Sequence, residues 1–528
     1  MAKHRVHTYG ALLTFVCAGI FMVYLDSTVV NVALPKIQAS LGGGVTELQW
    51  VVDAYALALA SLLLTSGAAG DIVGRRRMFL LGLVGFTVSS VACALSTSID
   101  ALLIARAVQG AVGAGLIPIS LALITQLYTE PAKRAAMIGL WAGIGGLALA
   151  AGPVIGGALL DEYGWESIFW INVPIGVLST LGLFRLLPDT QVRVRQNLDP
   201  VGQVLFIVAI GLLTYGLIEG NGQGWTSLLI ISVFAGAALT LAAFLWWQVR
   251  TPTPLLPLSF FRNVMFAAAC AVNFLGLFGL FGIIFLMTLY LQTINGLSPI
   301  ETGIQLLALT VSIMVASAIA PMVAKRLGTR TTVVVGSGVT LLGCLGLTRL
   351  AVGSGFGTYA WALALLGIGV SLCGAPATIA LLGSVPADRA GTASGVSNTF
   401  RQIGGVFGVA MAGAVVLQHL KSSLTPVVSA LPIPDGLKQT LVDAIGRGDV
   451  TPLRALPAGL REAAITRAQE EFVNGMHIAA VIAGAGGLVA GVVALIWMGR
   501  RATPVGPVTS APDADESREL VHAAGAHW

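Results

Sequence analysis

The stretch Tyr24-Leu25-Asp26-Ser27-Thr28-Val29-Val30-Asn31-Val32-Ala33-Leu34-Pro35 decides how the chain is read. It ends the first long apolar run, which opens near Tyr9. Asp26 stands about 17 residues into that run, so at ~1.5 Å per residue it lies ~25 Å along a helix crossing a hydrocarbon core ~30 Å thick. A carboxylate at that depth is costly, and it normally faces a bundle interior or a wet cavity and finds a partner. Two readings are open: a proton- or cation-binding site, or an interfacial residue solvated at the outer face. The remainder of the chain favours the first.

Of the 528 residues, 56% are hydrophobic and only 10% are charged. Soluble globular proteins carry about 25% charged residues, so the class is a polytopic, all-α membrane protein. Cys17, Cys93, Cys270, Cys344 and Cys373 are isolated inside apolar runs. No C-x-x-C or His/Cys cluster occurs, so neither a disulfide frame nor a metal site is expected. The net charge of +5 sits in loops and reads as membrane topology rather than nucleic-acid binding. Lys3-His4-Arg5 precedes an apolar run too long for a cleaved signal and reads as the flank of a first membrane helix.

Apolar windows give fourteen spans, near 9–30, 49–69, 78–96, 100–128, 136–160, 168–187, 201–219, 226–248, 264–291, 300–324, 332–350, 356–382, 393–419 and 475–499. With the N-terminus inside, the inner segments gather Arg75, Arg76, Arg77, Lys133, Arg134, Lys325, Arg326 and Arg330, while the short outer loops hold Glu47, Asp100, Asp161, Glu162 and Glu166. This asymmetry places both termini in the cytoplasm. Gly70-Asp71-Ile72-Val73-Gly74-Arg75-Arg76-Arg77 is echoed by Ala324-Lys325-Arg326-Leu327-Gly328-Thr329-Arg330. The echo predicts two six-helix halves, 1–187 and 264–499, with spans 7 and 8 inserted across 188–263. An extracytoplasmic loop with an amphipathic helix is expected over 420–474, and a disordered cytoplasmic tail over 500–528.

Depth links three charges. Arg106 lies about six residues, ~9 Å, into the fourth span from the outer face. Asp53 is about four residues into the second span, and Asp26 is ~5 Å from the same face. An arginine beside carboxylates favours their charge and desolvation opposes it, so a site poised between the two exchanges protons as water comes and goes. A static ion pair locking helices is the alternative. Helical spacing aligns Arg106, Gln109, Gly110 and Gly113 on one face, lining a cavity or packed on another helix. Gly152, Pro153, Gly156 and Gly157 in the fifth span read as a hinge or a close helix contact. In the turn after the second span, Gly70 and Gly74 permit a sharp reversal. Asp71 there either pairs with Arg75 and Arg76 or faces a helix N-terminus. Asn398 and Arg401 are candidates to line a cavity, with snorkelling of Arg401 as the alternative. Asn273 either lines the cavity or bonds a neighbouring helix. Ser298-Pro299-Ile300-Glu301 reads as a capped helix start, which removes Glu301 from the coupling candidates.

These residues resemble the major facilitator superfamily, specifically its fourteen-helix drug:proton antiporter branch. The resemblance rests on Leu25-Asp26 through Pro35, Gly70 through Arg77, Ala105-Arg106-Ala107-Val108-Gln109-Gly110, Gly152-Pro153 through Gly157, and Trp165 with Ile171-Asn172-Val173-Pro174. It implies that Asp26 and Arg106 belong to proton coupling, that Asp71 and its arginines gate the two halves, and that the fifth-span motif marks an exporter. Glu166 follows Trp165 where relatives often carry arginine, and spans 10 and 13 lack mid-membrane acids, against a preference for dicationic substrates.

The expectation is a monomeric, proton-driven antiporter that exports amphipathic drugs or antibiotics across the cytoplasmic membrane by alternating access. Its partners would be the small substrate, protons and the lipid bilayer, with no nucleic acid and no cofactor, the proton gradient supplying the energy. A narrow exporter of an endogenous metabolite or self-made antibiotic is the alternative. The chain carries no H-E-x-x-H, no G-x-S-x-G and no Gly-Lys pair, which argues against a zinc peptidase, a serine hydrolase and an ATP-driven pump.

Overall fold

A computed structural model describes residues 2–128, 130–187, 198–386, 389–431, 433–446, 456 and 458–499. The tail expected at 500–528 and the linker at 188–197 lie outside them. Seventeen α-helices follow in order: α1 (Ala2–Leu41), α2 (Val45–Val73), α3 (Arg75–Ala94), α4 (Ile99–Gly113), α5 (Leu116–Leu127), α6 (Pro131–Tyr163), α7 (Ser167–Trp170), α8 (Asn172–Leu186), α9 (Pro200–Gln223), α10 (Leu228–Arg250), α11 (Val264–Leu289), α12 (Pro299–Leu327), α13 (Thr329–Leu347), α14 (Phe356–Gly383), α15 (Ala390–Ala430), α16 (Asp435–Gly446) and α17 (Ala458–Trp497). They form 14 spans long and apolar enough to cross a membrane, with α4–α5 and α7–α8 each making one broken span. No strand occurs among the described residues.

Polar residues at the ends set the helix starts. Ser298 caps α12: its hydroxyl accepts from the Glu301 N–H, and the Glu301 carboxylate accepts from the Ser298 N–H at 2.8 Å, as expected from Ser298-Pro299-Ile300-Glu301. Asp199 caps α9 through the Gly202 N–H and also accepts from Trp247, Gln248 and the Leu255 N–H. Burial opposes charge on Asp199, but these four donors outweigh it and hold the carboxyl below its usual range. The echoed turns share one geometry, since Gly74 (φ +107°) and Gly328 (φ +84°) each join two helices in a left-handed conformation that suits glycine.

Two six-helix halves pack side by side, with α9 against both and α10 packed on α9. In the first half α1 packs on α6 and α8, and α2 on α4. In the second, α11 packs on α15 and α17, and α13 on α14. The halves meet along two seams, α6 against α12 and α2 against α15, while α9 lies on both α2 and α15. At the end of the bundle carrying Gly44, one buried apolar core joins both halves. It runs from Val29 and Ile37 of α1 through Ile283 and Leu286 of α11 to Leu417 and Leu424 of α15. Toward the opposite end, which carries Gly74, the buried apolar residues divide into two groups. One runs from Leu12 to Leu187 within the first half, and the other joins α9 and α10 to the second half, with Ala60 of α2 at its edge. One core thus joins the halves at the Gly44 end, and two separate cores serve them toward the Gly74 end, where α2 still packs on the second half through Ala60 and Leu64.

Three expectations need correction. The first span does not stop near residue 30: α1 runs on to Leu41 through Pro35. Val29, Val30, Val32, Ala33 and Leu34 are all buried, so tertiary packing carries the helix past the proline. Residues 70–73 do not form a loop but complete α2, so the reversal is made by Gly74 alone. The stretch 420–474, expected as a loop with one amphipathic helix, holds more helix than that: α15 continues to Ala430, α16 covers Asp435–Gly446, and the charged patch before Glu471, helical as expected, is the first part of α17. Leu441, Ile445, Leu456 and Phe472 bury their side chains in the joint core, which supplies the packing that makes these helices stable.

Candidate functional site

Five helices of the first half converge on Asp26. It sits near the middle of its span, 15 residues or ~22 Å before the end of α1, not close to the outer end as the shorter helix implied. Its Oδ2 faces Arg106 Nη1 of α4 at 2.5 Å, and both side chains are buried, at 0% and 1% exposure. Gln109 Nε2, one turn along α4, donates to Asp26 Oδ1 at 3.0 Å, and Asn172 Nδ2 of α8 donates to the same oxygen at 3.1 Å. Both amides also donate to Ser90 Oγ of α3, at 2.8 and 2.9 Å. Arg106 is held from its other sides by Gln109 Oε1 at 2.7 Å, by the Val51 carbonyl of α2 at 3.3 Å, and by the Tyr55 ring at 4.2 Å. Charge and hydrogen bonds thus compensate the desolvation of the pair, the condition under which a buried ion pair survives.

Glycine brings these helices close enough. Gly110 lies against the Tyr55 carbonyl of α2, where any side chain would collide. Arg106, Gln109, Gly110 and Gly113 are all buried along one face of α4, so this face is a packing surface. Gln109 accordingly belongs to the Asp26 network.

Asp53 of α2 is a different kind of acid. It is fully buried, and neither carboxyl oxygen has a hydrogen-bond partner within the protein. It borders a cavity of about 20 Å³ together with Ser27, Arg106, Phe281, Gln402 and Val409. That is room for about one water, not for a drug-sized molecule. The cavity lies on the seam between the halves, and Arg106 borders it from the Asp26 side.

The fifth-span motif makes contact in two directions. Gly152 lies against Thr28 of α1, and Gly156 against Val29. A Cβ on Gly157 would meet the Pro299 carbonyl of α12 at 2.5 Å, and the Pro153 carbonyl abuts Gly303. Of the two readings, close helix contact is the one observed in this conformation, joining α1, α6 and α12 at the Gly44 end.

The remaining candidates fall elsewhere. Arg75 donates to the Ala122 carbonyl of α5 at 3.4 Å, and Arg76 donates to the Phe184 carbonyl of α8 at 2.7 Å. Gly70 packs on Ile119 of α5. The side chain of Asp71 lies outside the described residues. Asn273 is buried and donates to Thr378 and Ser397, so it ties α11 to α14 and α15 instead of lining a cavity. Asn398 and Arg401 are half-buried on α15, and Arg401 comes close enough to Tyr24 of α1 to interact with it electrostatically. The sequence reading assigned no role to Ser90 or Asn172. The signal at Ser90 was its polarity inside an apolar span, and at Asn172 also its place in the Ile171-Asn172-Val173-Pro174 stretch.

The family model described as Major Facilitator Superfamily matches residues 16–409. The chain belongs to the Major Facilitator Superfamily. It is therefore a transporter and not an enzyme. Among its relatives is the multidrug resistance protein Stp of Mycobacterium tuberculosis, 35% identical over 482 residues, covering 89% of each chain. Another is the tetracenomycin C resistance and export protein of Streptomyces glaucescens, 35% identical over 496 residues, covering 93% of this chain and 92% of that one. A solved bacterial homologue of the human lysosomal transporter Spinster, described as inward-facing and unoccupied, is similar in fold. Its TM-score is 0.61 at 17% identity, over 92% of this chain and 98% of that one. This superfamily member is thus a multi-pass membrane protein whose relatives are named for drug and antibiotic resistance.

Proposed function

We propose that the protein is a proton-driven antiporter that exports amphipathic drugs or antibiotics across the cytoplasmic membrane by alternating access. The observation that carries the coupling is the pairing of two unlike buried acids beside one arginine. Asp26 accepts a hydrogen bond from each of two amides and pairs with Arg106, which suits the ionised form. Asp53 has no donor in the protein, and an ionised carboxylate so placed is strongly disfavoured. In this conformation Asp53 is the proton carrier and Asp26 the fixed charge that holds Arg106.

The positive-inside distribution of Lys and Arg supports a cytoplasmic Gly74 end with both termini on that side. The conformation, shut at the Gly44 end, is then inward-facing. From it Asp53 gives its proton to the cytoplasm when water reaches it, and substrate enters. Loss of that proton leaves a carboxylate on the cavity that Arg106 also borders, which draws the arginine and weakens its hold on Asp26. Reorientation returns Asp53 to the outer side for reprotonation. No cofactor takes part, and the chain acts as a monomer.

The test is dye efflux from proteoliposomes energised by a proton gradient. Asp53→Asn is expected to abolish gradient-driven efflux while retaining substrate binding. Undiminished efflux would remove Asp53 from the coupling. A narrow exporter of one self-made antibiotic is favoured by the name of the Streptomyces glaucescens relative. Protection of cells against one compound alone in a toxicity panel would select that reading.

A further inference from the structure

The face of α2 that meets α15 changes character at Asp53. Toward the Gly44 end it carries Gln49 and Thr46, at helical spacing from Asp53 and buried with it. Toward the Gly74 end the same face continues as Leu57, Ala60 and Leu64, which join the apolar group of the second half. Gln49 Oε1 and Thr46 Oγ1, like both Asp53 oxygens, have no hydrogen-bond partner within the protein. Such a row of unmet polar atoms is costly in a permanently dry seam. The cost is relieved if water reaches the row in another conformation.

Gln49 stands between Asp53 and the Gly44 end of this row. Its Nε2 donates to the Val409 and Ala410 carbonyls of α15, each at 3.0 Å. A helical carbonyl keeps a second lone pair, so these bonds form across the halves without breaking α15 and part without unfolding it. Val409 also borders the Asp53 cavity, which puts the Gln49 carboxamide at the Gly44 side of that cavity. The carboxamide fits only because residue 413 is glycine, since a Cβ there would collide with it. Gly405, Val409 and Gly413 thus make one face of α15, against which Asp53 and Gln49 lie.

We propose that Gln49 is the gate on the outer proton route to Asp53. In this conformation its carboxamide plugs the α2/α15 seam. When the halves part at the Gly44 end, its two bonds release and water enters the row at Thr46 and Gln49. A hydronium ion there gives its proton to the Asp53 carboxylate and is left as water. Gln49 is a positioning residue, because a carboxamide donates and accepts hydrogen bonds but does not itself carry the proton. This rests on the reading of Asp53 as the proton carrier given above.

The test is proton flux without substrate, read by a pH-sensitive dye inside proteoliposomes of the full-length protein. Gln49→Ala removes the plug and should raise the leak by about tenfold over wild type, the rate equivalent of one hydrogen bond taken from the barrier. Gln49→Met fills the same space without the hydrogen bonds, so its leak should stay at the wild-type level. Adding Asp53→Asn to Gln49→Ala should abolish the extra leak. An equal, raised leak in the Ala and Met variants would reduce Gln49 to a clasp and overturn the gate. No rise in Gln49→Ala, while Asp53→Asn alone abolishes gradient-driven efflux, would overturn the gate and leave the carrier standing. A leak that persists in the double variant would overturn Asp53 as the carrier, and the gate with it. Thr46→Cys and Leu57→Cys test the route without touching Gln49. The five native cysteines are buried, so an impermeant thiol reagent applied from the Gly44 side during transport should modify position 46 and spare position 57. Equal reactivity at both, or none at 46, would overturn the route.

Discussion

Replacing Asp26 by asparagine removes the carboxylate that faces Arg106 at 2.5 Å. The guanidinium is 1% exposed, so it keeps its charge without water to screen it. An uncompensated buried charge costs about 3 to 5 kcal/mol. Tyr55, Val51 and Gln109 hold Arg106 in both proteins and do not change the difference. The asparagine carbonyl still accepts one bond, but its amide faces the donors of Gln109 or Asn172, so the expected loss stays near ~3 kcal/mol. Asp53→Asn is the internal control. It exchanges one buried group without a protein partner for another of the same size, with an expected change within about 1 kcal/mol. Thermal unfolding of purified protein in detergent reads the contrast. Asp26→Asn should lower Tm by on the order of 5 to 10 °C if the first six-helix half unfolds as a unit, with Asp53→Asn close to wild type. Equal melting of the two variants would refute the division into a fixed charge and a neutral acid.

Other outcomes follow from single contacts. Gly303→Ala pushes a methyl group into the Pro153 carbonyl, so α6 and α12 should separate at the Gly44 end at a cost of about 1 to 3 kcal/mol. Thiol labelling from that end should rise and transport should fall; unchanged labelling would contradict the seal. Asn172→Ala removes a donor to Asp26 and should destabilise by about 1.5 to 3 kcal/mol, while Val173→Ala on the same helix should not. Asp199 is held below its ordinary range, so its stabilising contribution is present above the unfolded carboxyl value and is lost as pH falls through the folded one. Protection factors at the start of α9, corrected for the intrinsic exchange rate at each pH, should therefore fall on acidification in wild type and be low and pH-independent in Asp199→Ala. Equal protection in the two at neutral pH would contradict this.

Hydropathy made the fourteen spans legible, because a lipid-facing helix must be apolar for about 20 residues whatever it packs against. The Ser298 cap and the Gly74 and Gly328 turns were legible too, since caps and positive-φ glycines are local chemistry. Helix ends outside the apolar windows were not. α1 passes Pro35 because it packs into the core shared with the second half, and α17 begins with charged residues because it packs on α11, α13 and α15. Arg467 and His419 pair with Glu471 there, so the charges do not disrupt α17. The carboxylate and arginine of the site announced themselves by their cost in lipid. Ser90 and Asn172 did not, since a lone polar residue is cheap and its distance from Asp26, 146 positions away for Asn172, is set only by folding. The depth of Asp26 was misjudged for the same reason as the helix ends.

Infrared difference spectroscopy of the purified transporter tests the charge assignment most directly. A protonated carboxyl group has a carbonyl stretch distinct from that of a carboxylate. At neutral pH that band should be present in wild type, persist in Asp26→Asn and vanish in Asp53→Asn. A band lost with Asp26→Asn and kept with Asp53→Asn would place the proton on the acid facing Arg106 and contradict the coupling scheme.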